Sequence, residues 1–109
     1  MRDEKKRRLE ARGWRVGTAQ QFLGLSDEEA AFIDLKLKLA RGVRERRRRQ
    51  RMTQVAMAKL LRSSQSRIAK MEAGDPSVSL DLLVRSLLVL GTSSRELSRI
   101  ISSRSVPAS

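Results

Sequence analysis

The chain has 109 residues, 39% of them hydrophobic, enough for one small domain with a modest core and too few for a second. It carries 24 Lys+Arg against 12 Asp+Glu, a formal net charge of +12 that no histidine can modulate, so a polyanionic partner is expected. Without Cys or His there is no disulfide framework, no zinc cluster of the usual ligands and no thiol or imidazole catalysis, so no catalytic residue, metal or cofactor is assigned and the chain is not expected to be an enzyme.

The opening run Met1-Arg2-Asp3-Glu4-Lys5-Lys6-Arg7-Arg8 has no apolar stretch behind it and does not read as a secretory signal. The longest apolar runs are far short of a membrane span, which leads to the expectation of a cytoplasmic protein with no membrane partner. Residues 1–25 read as a basic arm with a lone Trp14 and a short helical turn that Thr18 caps and Gly24 ends, passing through Phe22 and Leu23. Trp14, Phe22 and Phe32 are the only aromatic residues, too few and too early for the stacking platforms that single-stranded nucleic acid requires. Duplex DNA is therefore the expected polyanion.

A domain is predicted over residues 26–101. Ser26-Asp27-Glu28-Glu29 fits a capping box with acidic residues over the positive end of the helix dipole, and the helix it opens runs to about Arg49. Its apolar residues fall in two stripes: Phe32, Leu35, Leu39 and Val43, and Ala30, Ile33, Leu37 and Ala40. One stripe serves the core; the other needs the amino-terminal segment, a second copy of the chain or another partner. Gly42 inside this helix allows a bend. Between Arg41 and Arg51 there are seven arginines and one glutamate. Some cation at a helix carboxyl end is ordinary, but so many suggest a phosphate clamp in which two or three reach DNA, with Arg44, Arg47 and Arg51 as the candidates.

Two short helices follow. Thr53 caps the first, with Met57, Ala58, Leu60 and Leu61 turned inward, and the small Ala58 permits a close approach by the second. Ser64 caps the second, whose Ile68 and Met71 face inward. Gln65, Ser66, Ala69 and Lys70 then lie on or near the outward face. Amide, hydroxyl and ammonium groups in that position can pair with base edges or phosphate oxygens, although polar residues on any surface helix also need no such explanation. Ala73-Gly74-Asp75-Pro76 stops this helix. Ser79 caps the next, with an apolar face of Leu80, Leu83, Val84, Leu87 and Leu88 ending near Leu90-Gly91. A last helix from about Ser93 to Ile101 presents Leu97, Ile100 and Ile101 as final core residues or a dimer seam. Residues 102–109 are expected to be a disordered tail. The predicted class is all-α, with five main helices and no strand.

The residues Val43-Arg44, Arg47, Thr53-Gln54, Ala58, Leu61, Ser64, Ser66, Ile68, Glu72, Gly74, Pro76, Ser79-Leu80, Leu83 and Leu90-Gly91 resemble the Xre/Cro family of phage-repressor-like helix-turn-helix regulators, over about residues 39–101. The resemblance implies a lambda-repressor-like DNA-binding domain, bacterial or phage and nucleoid-associated, that acts as a dimeric repressor on a near-palindromic operator. It implies base reading by Gln65, Ser66 and Lys70, and backbone contacts by Gln54, Ser64 and Arg67 together with the arginine clamp. Gln54 would touch a phosphate and brace Gln65. Ile33, Leu37, Leu97, Ile100 and Ile101 are the candidate dimer or partner surface. Small members with an extra amino-terminal segment also resemble antitoxins that repress their own operon, in which Trp14, Phe22, Leu23 and Leu25 would cover a toxin protein unless they fold back on the domain. A third reading, from charge alone, is an architectural protein that coats nucleic acid without reading it. The chain departs from the family in having Arg51 and Arg62 at sites usually held by Gly, where positive φ is favoured, and Ser63 where the turn normally buries an apolar residue.

Overall fold

A computed structural model describes residues 23–104. Among them are five α-helices and no strand: α1 Asp27–Arg49, α2 Gln54–Leu60, α3 Gln65–Ala73, α4 Leu80–Val89 and α5 Ser94–Ser102. The expectations for residues 1–22, including Trp14, Thr18 and Phe22, and for residues 105–109 lie outside the described residues.

Each helix starts on a hydroxyl. Ser26, Thr53, Ser64, Ser79 and Ser93 sit in extended backbone just before α1 to α5, and each side chain accepts a backbone N–H from inside the first turn. At α1 the capping box is complete, with Glu29 N donating to Ser26 Oγ at 3.1 Å and Ser26 N donating to Glu29 Oε1 at 3.0 Å. Helix ends are equally explicit. After α3 and α4 the chain turns through Gly74 at φ 70° and Gly91 at φ 84°, and the amide of each glycine and of the residue after it fold back onto the last helical carbonyls. The ends of α1 and α2 close in the same way through Arg51 at φ 55° and Arg62 at φ 54°. Ser63 N donates to Ala58 O at 2.8 Å and Met52 N to Arg47 O at 3.1 Å. The two departures from Gly therefore keep the left-handed turn, at a strain of about 1 kcal/mol each.

Helix α1 is the spine against which α3, α4 and α5 pack. Leu39, Ala40 and Val43 of α1 meet Met57 and Ala58 of α2, Ile68 and Met71 of α3, and Leu83 and Leu87 of α4, all buried. Truncating one of the larger residues here would cost about 2–5 kcal/mol. Ala58 is only 4% exposed, so the close approach predicted for it is present. Two inward assignments are corrected: Leu60 and Leu88 are half exposed, and Ser86 occupies the buried line of α4, donating to Leu82 O at 2.7 Å. In a ten-residue helix with Leu or Val at seven positions, the apolar pattern alone cannot say which leucines face out.

Gly42 is a point of close approach. A Cβ there would meet Ile100 Cδ1 at 2.9 Å, so α5 lies tight against α1. Leu97 and Ile100, candidates for a dimer seam, are partly buried against the core, whereas Ile33 and Ile101 are 42% and 43% exposed. Leu37 is half-buried, with its Cδ2 over Gly74. Polar links add to the α1–α5 contact. The buried Lys38, ion-paired with Asp34 at 3.2 Å, donates to Ile101 O at 3.2 Å, and Arg46 pairs with Glu96.

Candidate nucleic-acid interface

The outward face of α3 is as the spacing predicts. Gln65, Ser66, Arg67 and Lys70 are exposed while Ile68 and Met71 are sealed inside at 0% and 1%. Ser64, also exposed, is occupied as the cap of α3, its Oγ accepting from Arg67 N at 3.1 Å. Beside these residues runs a shallow groove of about 360 Å³, walled by Ser66, Arg67 and Lys70 on one side and Ser77, Val78 and Leu82 on the other.

Behind this face lies a chain of hydrogen bonds whose direction is fixed by chemistry. Arg47 donates through Nε to Glu72 Oε2 at 2.5 Å and through Nη2 to Glu72 Oε1 at 2.9 Å, and through Nη1 to Met52 O at 2.7 Å. Gln54 Nε2 donates to Glu72 Oε1 at 3.2 Å, and Gln65 Nε2 donates to Gln54 Oε1 at 2.9 Å. A carboxylate only accepts, so Glu72 must draw the nitrogen end of Gln54 toward itself. That leaves the oxygen of Gln54 facing Gln65, which in turn must present its own nitrogen. The ionised state of Glu72 is secured against its burial, which raises its pKa. Hydrogen bonds from Arg47 and Gln54 and the charges of Arg47 and Arg44 outweigh that burial and hold the carboxyl below the usual range.

Arg47 is therefore not a backbone contact, and that expectation is corrected. Continuing the stripe of Leu39 and Val43 by one turn lands on residue 47, whose guanidinium is turned inward to Glu72 and only 9% of whose surface is exposed. Arg44 and Arg51 are exposed and stay available. Arg46 is likewise committed, to Glu96 and to the two carbonyls just beyond α4, Leu90 O and Gly91 O. Glu72 is the functional residue that sequence reasoning left without a role. Its signal was present in the lone carboxylate of α3, a helix whose other residues are apolar, basic or neutral polar.

A helix-turn-helix domain model matches residues 38–107. The chain belongs to the helix-turn-helix domain family. Comparison with curated proteins and with solved structures returns no match. The helix-turn-helix itself is α2, the turn through Arg62, and α3, with α3 in the place of the recognition helix. The all-α fold is thus a DNA-binding one, and among the described residues no helix is long and apolar enough to cross a membrane and no group of His, Cys, Asp or Glu could hold a metal.

Proposed function

We propose that this helix-turn-helix chain is a sequence-specific transcriptional regulator of double-stranded DNA, a repressor that binds a near-palindromic operator as a dimer. The observation that carries the reading is the exposed Gln65 carboxamide locked to Gln54. With one N–H spent on Gln54, Gln65 keeps one N–H donor and its oxygen acceptor for the major groove. Adenine offers an N7 acceptor and an N6 amino donor side by side, the complement of that pair, whereas guanine offers two acceptors and would meet the amide oxygen with its own. Gln65 thus reads adenine, Ser66 and Lys70 add neighbouring contacts, and Gln54, Ser64, Arg67, Arg44 and Arg51 hold the phosphates.

The exposed Ile33 and Ile101 supply apolar surface for a second copy, which would set two recognition helices about 34 Å apart in successive major grooves. A role as an antitoxin rests on the arm and on Leu23 and Phe32, both exposed, and is tested by co-purification with the product of an adjacent reading frame. The central experiment is a gel shift on the DNA just upstream of the chain's own reading frame, with a salt series and a scrambled competitor. A regulator prefers its own site by several decades at physiological salt; equal binding of both DNAs would leave only an architectural coater.

A further inference from the structure

We infer that the groove between α1 and α5 is a binding site for a small phosphate-bearing polyanion, separate from the surface that reads DNA. The groove has a volume of about 460 Å³ and is walled by Arg46 and Arg49 of α1, Arg95 and Arg99 of α5, and Thr92 of the link between α4 and α5. This is ample for a compact ligand bearing several phosphates.

The acids in its wall are already engaged. Glu45 pairs with Arg41 at 3.0 Å and Glu96 pairs with Arg46. Arg49, Arg95 and Arg99 make no side-chain hydrogen bond or ion pair among the described residues, so three guanidiniums line one concavity whose two carboxylates, Glu45 and Glu96, are already paired with Arg41 and Arg46. Guanidinium forks match the paired oxygens of a phosphate, and a single site with three of them calls for a ligand of at least two negative charges. A second, independent sign is Thr92. It is 5% exposed, its backbone N–H is used by Leu87 O at 3.0 Å, and its Oγ1 is sealed with no hydrogen-bond partner. Such a hydroxyl is costly to leave unpaired, and because Thr92 lines the groove, a rotation of its side chain would let it donate to a bound anion. The amino end of α5 adds amides of its first turn that no carbonyl within the helix can take.

The duplex is not the natural occupant. Two residues along a helix rotate the side chain by about 200°, so Arg46 leaves α1 nearly opposite to Arg44, and it is Arg44 whose charge bears on Glu72 behind the reading face. No residue of the groove borders the α3 face. The site therefore stands whether or not Gln65 reads adenine.

The test uses the full chain, sodium tripolyphosphate as the probe and titration calorimetry in magnesium-free buffer at constant ionic strength. Saturable binding at one site is expected. Arg95→Gln with Arg99→Gln should weaken it about tenfold or more, whereas Arg44→Gln with Arg48→Gln, which removes the same charge from the other side of α1, should change it less than about threefold. Thr92→Val should keep the helical signal and the melting temperature, or raise the latter, while weakening tripolyphosphate severalfold. Equal losses in the two double variants, or binding that never saturates, would show diffuse charge attraction and overturn the site. Random duplex DNA provides a further arm. If Arg95→Gln with Arg99→Gln weakened DNA as much as Arg44→Gln with Arg48→Gln does, the groove would be a contact to the DNA backbone and the inference would fail.

Discussion

Arg47 and Glu72 form a two-pronged ion pair between α1 and α3, with side chains only 11% and 5% exposed. Removing one partner strands the other charge inside the domain, so Glu72→Ala should destabilise by about 3–5 kcal/mol in urea unfolding. Replacing both, as Arg47→Met with Glu72→Leu, should cost much less than the sum of the single changes. A double-mutant cycle giving simple additivity would mean that the pair is not coupled.

Acid should act through the same carboxylate. Because the folded-state pKa of Glu72 lies below its unfolded value, its contribution to stability is full above about pH 4.3 and is lost as pH falls through the lower, folded value. Glu29, lowered by the backbone and hydroxyl of Ser26, and Asp75, lowered by Ser77, act with the same sign. With no histidine in the chain, stability should be flat near neutrality and decline only in acid. Urea midpoints from pH 7 to pH 2 check this, and Glu72→Gln should show a shallower acid slope than the wild type.

Gln65→Ala should erase the preference for adenine over guanine at the contacted base, a difference of about 1–3 kcal/mol, while leaving binding to random DNA nearly unchanged. Gln54→Ala should erase much of it as well, by freeing the Gln65 amide to flip. Operator variants carrying a single A-to-G change, compared in gel shifts, distinguish this from loss of a phosphate contact, which would weaken every sequence alike.

Gly74 and the left-handed Arg62 make opposite predictions. Gly74→Ala places a Cβ at φ 70° and 2.6 Å from Leu37 Cδ2, so a loss of about 1–2 kcal/mol is expected in thermal unfolding. Arg62→Gly relieves strain at φ 54° but loosens the unfolded chain, so its net effect should lie between zero and a gain of about 1 kcal/mol. A clear loss would show that the Arg62 side chain itself supports the turn.

Helix starts were legible in the sequence because Ser26, Thr53, Ser64, Ser79 and Ser93 act within three residues of themselves. The outward face of α3 was legible for the same kind of reason: Ile68 and Met71 fix its rotation. Arg47 was misread because an arginine inside an arginine run looks like solvent-facing charge until its partner 25 residues away is placed. Arg46 was obscured likewise, its partners lying on α5 and at the end of α4. Leu60, Leu88 and Ser86 depended on tertiary rotation that a nearly continuous apolar pattern does not encode.

Ser66 and Lys70 project from α3 with no side-chain hydrogen bond or ion pair among the described residues, while Ile68 and Met71 between them carry the packing. The scaffold is thus indifferent to what stands at the two outer positions. On the proposed reading, new side chains grafted there redirect the protein to another target sequence and leave its folding untouched, a modular reprogramming that Gln65, tied through Gln54 to Glu72, would resist.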